Sequence, residues 1–170
     1  MAILKDRINV WLAAGGMGIA GFLHLWIVPE HWEHTPAHGI FFLFLGIVQL
    51  VWVIFLLKGN SLFVQKLGMI LAASSILLWV LTITLPAPFE DSREEVDAIG
   101  IAVKLFELAS VIGLVNMMRL TLGSKSRLIR VVVIQIILAF VIAVAAYTAG
   151  RASESLFPEL REETQELHHY

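Results

Sequence analysis

The chain has 170 residues, 58% of them hydrophobic and only 15% charged, with a formal net charge of −2 and a mean hydropathy of +0.82. A soluble domain carries roughly 45–50% apolar and about 25% charged residues, so this composition excludes a single water-soluble globule. It contains no cysteine, which excludes disulfides and thiolate metal sites, and no basic run interleaved with aromatics that would mark a nucleic-acid partner.

A membrane helix needs about 20 mostly apolar residues, and five segments qualify. The sequence predicts spans over about 8–28, 39–57, 67–85, 98–118 and 129–150. The fold class expected is therefore all-α: an integral membrane helical bundle of about five transmembrane helices over residues 1–150, with the lipid bilayer as its surroundings. A polar, acidic tail over 151–170 follows it. The first apolar run, Ile8 to Val28, is longer than the 7–15 residues of a secretory signal, and no A-x-A site follows it; it is expected to remain as a span. Pro29 and Pro36 are expected to bracket the first loop, because proline removes a backbone donor and disfavours helix before it. Pro86 and Pro88 close the third span in the same way. Small residues four apart, Ala14/Gly18 and Gly16/Ala20 in the first span and Ala139/Ala143 in the fifth, allow close helix packing. They suit packing within the chain, with a homo-oligomer or a membrane-protein partner as the alternative.

Lys and Arg concentrate in cytoplasmic loops. Lys5, Arg7, Lys58, Lys66, Arg119, Lys125, Arg127 and Arg130 fall on one side; Arg93, Arg151 and Arg161 fall on the other. The expected orientation is N-in/C-out, as suits a prokaryotic plasma membrane. The acids segregate the opposite way, with Glu30, Glu33, Glu90, Asp91, Glu94, Glu95 and Asp97 outside, together with all six histidines.

Two groups of residues are candidates for chemistry. The first is His24, Glu30, His31, His34 and His38. The four histidines step by 7, 3 and 4, which on an ideal helix places them within an arc of about 80°. Imidazole and carboxylate suit copper or zinc, so this group is a candidate outward-facing transition-metal site. Its alternative is a hydrated interfacial loop anchored by Trp26 and Trp32. The second group lies within the bilayer. Lys104 and Glu107 are three apart and share a helix face, about 9 and 13 Å below the outer end of their span at 1.5 Å per residue. By the same rise Gln49 lies about 15 Å deep and His24 about 6 Å. All four are placed to converge in the outer half of the bundle. Charge at such depth is expensive and marks a functional site by default; a structural lock between helices is the competing reading. A cation beside Glu107 would be repelled by Lys104, which suits a proton relay or an anionic group better than a metal there. No serine-nucleophile motif, P-loop or dinucleotide-binding glycine pattern marks an enzyme.

The pattern H-x4-P-E-H (His24 to His31), then G-x-F-F (Gly39 to Phe42), G-x-x-Q (Gly46 to Gln49) and K-x-x-E (Lys104 to Glu107) resembles a family of small multi-pass membrane proteins of bacteria and archaea. That family has no established activity. The resemblance implies that His24, His31, Lys104 and Glu107 form one constellation, and it implies no chemistry. Three functions follow as expectations: handling of copper or zinc, an accessory role in a larger membrane complex, or proton-coupled transport through Lys104 and Glu107.

Overall fold

The computed structural model describes residues 2–154 and 156, with side chains for 7–33, 35–154 and 156. Five helices follow one another: α1 Ala2–His34, α2 Pro36–Lys58, α3 Leu62–Thr84, α4 Ala98–Leu122 and α5 Lys125–Ser153. No strand occurs among the described residues. Each helix carries an apolar stretch long enough to cross a membrane. This is the structure lipid demands, because a helix satisfies its own backbone donors and acceptors where no water is present to do so.

The helix ends follow local chemistry. Ser61 caps α3 by accepting from the Val64 amide at 3.3 Å, and Asp97 caps α4 by accepting from the Gly100 amide at 2.7 Å. These side chains supply acceptors to amides that have no partner in the first turn. α4 stops at Gly123, whose φ of 62° is left-handed and suits a residue without a Cβ.

The first connection differs from the expectation. Residues 29–38 do not form a loop: α1 runs through Pro29 to His34, α2 starts at Pro36, and Thr35 alone joins them. Pro36 decides the position of the break. It pushes the residue before it out of helical geometry, and its missing N–H is harmless at the first position of a new helix. The Thr35 carbonyl then accepts from the amides of His38 and Gly39, at 2.9 and 3.2 Å. Gly39 lies so close to Trp32 that an added Cβ would come within 3.0 Å of its ring.

α1 packs closely on α2 and α4, and α3 on α5 and α4. At the crossing of α1 and α2, Gly21 and Gly46 face each other, and a Cβ on Gly46 would lie 2.8 Å from the Gly21 carbonyl. At the crossing of α1 and α4, a Cβ on Gly16 would lie 2.5 Å from the Phe106 carbonyl, and one on Gly113 would lie 2.8 Å from backbone atoms of Asn9 and Ala13. The small residues of α1 thus serve contacts within the chain. α2 and α3 touch least among these neighbours. They are joined near their connecting turn, where the Trp52 indole donates to the Val64 carbonyl at 2.9 Å and lies against Gly68. Towards their other ends they diverge.

The apolar core occupies the half of the bundle away from the histidines. Ala13, Met17, Trp52, Leu56, Met69, Ala72, Leu114, Met117 and Met118 are packed there as one buried cluster. The close crossings of α1 predict the effect of filling them. Gly16→Ala and Gly113→Ala are each expected to lower stability by about 1–3 kcal/mol through overpacking. Gly15→Ala, which meets open space, should not destabilise. Unfolding in a denaturing-detergent titration would distinguish the two classes.

Candidate functional site

Four of the five helices contribute to one polar chain in the half of the bundle opposite the apolar core. His24 on α1 is 2% exposed, and Gln49 on α2 and Glu107 on α4 are fully buried. His24 Nδ1 lies 2.8 Å from Gln49 Oε1. Gln49 Nε2 donates to Glu107 Oε1 at 2.8 Å. Lys104 Nζ donates to Glu107 Oε2 at 2.9 Å, and to the hydroxyl of Ser75 on α3, also at 2.9 Å.

This chain has a direction. An ionised carboxylate only accepts hydrogen bonds, so the Gln49 amide must present its NH₂ to Glu107. Its oxygen is then the atom facing His24, and His24 must carry a proton on Nδ1 to donate to it. In the neutral ring Nε2 is left as the acceptor. Lys104, with three N–H bonds, uses two in this chain.

Above the chain is a cavity of about 250 Å³. His24, Lys104 and Ser75 form its floor. Its sides are Ile27, Phe42 and Leu45 on one flank, and Leu78, Trp79 and Tyr147 on the other. It occupies the gap left where α2 and α3 diverge. Phe42 stacks on His24 with ring centres 5.5 Å apart and an interplanar angle of 16°. The same ring lies 4.5 Å from that of His31.

The segment between α3 and α4 roofs the cavity with Pro88, Phe89, Glu94 and Asp97. It is tied down on every side. His38 Nε2 donates to the Pro88 carbonyl at 2.8 Å, and His38 Nδ1 lies 3.3 Å from the Glu90 carboxylate. Glu90 also accepts from the Thr35 hydroxyl at 2.8 Å. From α5, Tyr147 donates to the Pro86 carbonyl at 2.8 Å, and Arg151 donates to the carbonyls of Ala87 and Glu90 at 3.2 and 3.1 Å. Glu154 accepts from the Phe89 amide at 2.9 Å. Phe89 itself has a φ of 65°, a left-handed conformation that is sparsely populated by bulky residues and is held here by these surrounding bonds.

The structure therefore brings His24, Gln49, Lys104 and Glu107 together, joined by hydrogen bonds. The expected metal group is not assembled in the same way. Among the described residues no three His, Asp or Glu side chains gather closely enough to hold a metal ion. The continuous helix through Pro29 turns Glu30 outward to an exposed position while His24 faces the interior. His31 and His38 approach, with ring centres 6.3 Å apart, but both nitrogens of His38 already face oxygen atoms. The His34 side chain and His168 and His169 lie outside the described residues.

Sequence reasoning missed Ser75, Thr35 and Thr82, and placed Glu94 only among the outside acids. Thr82 donates to Glu94 at 2.5 Å. A lone hydroxyl in an apolar span usually bonds its own helix, so Ser75 gave no signal until the position of Lys104 was known. Comparison with models of protein families, with curated proteins and with solved structures returns no match.

The Lys104–Glu107 pair carries a prediction. Removing one member of a buried ion pair strands the other charge, typically at about 3–5 kcal/mol. Lys104→Met alone is expected to lose stability on that scale. The Lys104→Met/Glu107→Gln double variant, which strands no charge, is expected to recover most of it. A double-mutant cycle of detergent unfolding measures the coupling; additive losses would mean the pair does not interact as described.

Proposed function

We propose that this protein is an integral membrane ligand-binding protein, and that the cavity over the His24–Gln49–Glu107–Lys104–Ser75 chain is its binding site. One observation carries the reading. The polar chain ends blind: beneath it lies the packed core of Met17, Trp52, Leu56, Met69, Leu114 and Met117. A mostly apolar cavity with a few convergent polar groups is the usual form of a small-molecule site. By the distribution of Lys and Arg, the site faces outward from the cytoplasm, in a prokaryotic plasma membrane.

Each of the other functions requires something this arrangement lacks. A copper or zinc site needs three or four converging ligands, whereas His24 is engaged through Nδ1 and His38 through both nitrogens. A proton-coupled transporter needs continuity towards the second side, and below Glu107 the next buried hydroxyl, Ser110, donates to the Ala13 carbonyl at 2.9 Å and leads no further. An accessory role in a larger complex would use the buried pair as a lock between helices but gives the cavity above it no occupant.

The absence of native cysteine makes a direct test simple. In oriented vesicles, single cysteines at Ala37 or Leu78 are expected to react with a small cationic thiol reagent applied from the histidine side, and not when it is applied from the other. Cysteines at Met69 or Leu114 should react from neither side. Labelling of Leu114→Cys from the side of the basic loops would replace binding with passage through the bundle.

A further inference from the structure

We infer that the cavity takes a neutral, planar ring bearing an oxygen — a phenol, an aryl ketone or a quinone-type head — with that oxygen set between Lys104 and His24. This inference rests on the binding reading above and names the ligand class.

The walls favour a flat ring. Phe42 presents its faces and edges to His24, His31 and Phe41, with ring centres 4.5 to 5.5 Å apart. Trp79, Tyr147 and Phe89 line other parts of the cavity. Aromatic side chains gain from offset or edge-on contact with another ring beyond the area they bury. The volume suits a single ring. An apolar cavity of roughly 150 Å³ holds benzene, so about 250 Å³ accommodates one ring with small substituents.

The floor favours an oxygen. Lys104 has one N–H beyond the two it gives to Ser75 and Glu107. His24, with Nδ1–H committed to Gln49, keeps Nε2 as its acceptor. One strong donor and one acceptor at the same floor match a carbonyl oxygen, which takes the first, or a hydroxyl, which uses both. A ring lacking oxygen would leave the lysine donor without a partner where water is scarce, and an unmatched buried donor weakens binding.

Charge excludes the ionic alternatives. The ammonium of Lys104 is already balanced by Glu107 at 2.9 Å, so an anion on Lys104 would also sit near that carboxylate. It would further have to pass Glu94 and Asp97 at the roof, where like charge repels it. A cation would be admitted by those acids but would meet no carboxylate at the floor, because Glu107 does not line the cavity and the group presented there is the ammonium of Lys104. The group that meets no repulsion at either level is neutral.

The test uses the full-length protein in lipid nanodiscs and five single-ring probes: p-cresol, acetophenone, toluene, benzoate and benzylamine. Binding is read by saturation-transfer NMR as the difference between wild type and Leu78→Trp, whose indole fills the cavity; the difference removes simple partitioning into lipid. The expected result is that p-cresol and acetophenone bind about tenfold more tightly than toluene, the scale of one hydrogen bond to a charged donor, and that benzoate and benzylamine bind more weakly still. In Lys104→Met/Glu107→Gln the advantage of acetophenone over toluene should disappear. Should that variant fail to fold, the ranking in wild type decides alone. Toluene binding as well as acetophenone, or benzoate binding best, overturns the ligand class while leaving a binding cavity in place. No probe showing a Leu78→Trp-sensitive signal overturns the class and the binding reading together.

Discussion

A carboxylate with no exposure to water organises the histidine-bearing half of this bundle. Glu107 has no bulk solvent and no lipid group able to stabilise its charge, so every interaction it makes must come from the protein. Lys104 reaches it from one turn earlier on the same helix, and Gln49 reaches it from α2. Neither contact is independent of the rest. Holding Gln49 in place fixes His24, and holding Lys104 in place fixes Ser75. One buried charge thus sets the side-chain positions of four helices that have only weak reasons to associate in lipid, where apolar faces gain little from leaving one apolar medium for another.

The two halves of the bundle are stabilised by different means. The half away from the histidines is held by close packing, with Gly113 at the crossing of α1 and α4 and methionines filling the interior. The half nearer the histidines is held by directional bonds and leaves space. α2 and α3, pinned together near their turn by Trp52, separate where the polar chain lies, and the cavity is the result of that separation. The roof above it is fixed from α2 and α5 through bonds to the backbone of Pro86 to Glu90. This explains how a residue as bulky as Phe89 is kept in a left-handed conformation.

Much of this was legible in the residues. Span lengths and hydropathy placed the five helices, because the bilayer imposes a length and leaves the backbone few alternatives. The rise per residue was enough to place His24, Gln49, Lys104 and Glu107 in one half of the bundle, since depth along a helix is arithmetic. Direction around a helix was less legible. On one continuous helix the histidines at 24, 31 and 38 would share a face, yet His38 belongs to α2 and their partners come from other elements: Gln49 for the first, Phe42 for the second, and the backbone of Pro88 for the third. A ligand count from sequence cannot anticipate nitrogens already engaged by a distant loop. The helix through Pro29 was missed for a related reason. In the sequence the two prolines look like equal breakers, whereas only Pro36 acts on a residue that becomes the turn.

The single-residue turn at Thr35 has a consequence for how this chain can change over evolutionary time. A flexible loop absorbs an inserted residue without altering what it connects. A one-residue link cannot: adding a residue there would rotate α2 by about 100° relative to α1 and carry Gln49 away from His24. The length of this link is therefore in phase with the chemistry roughly 16–21 Å below it along the two helices. Insertions and deletions at this corner are constrained as strictly as substitutions in the site, although Thr35 makes no contact with the chain it keeps in register.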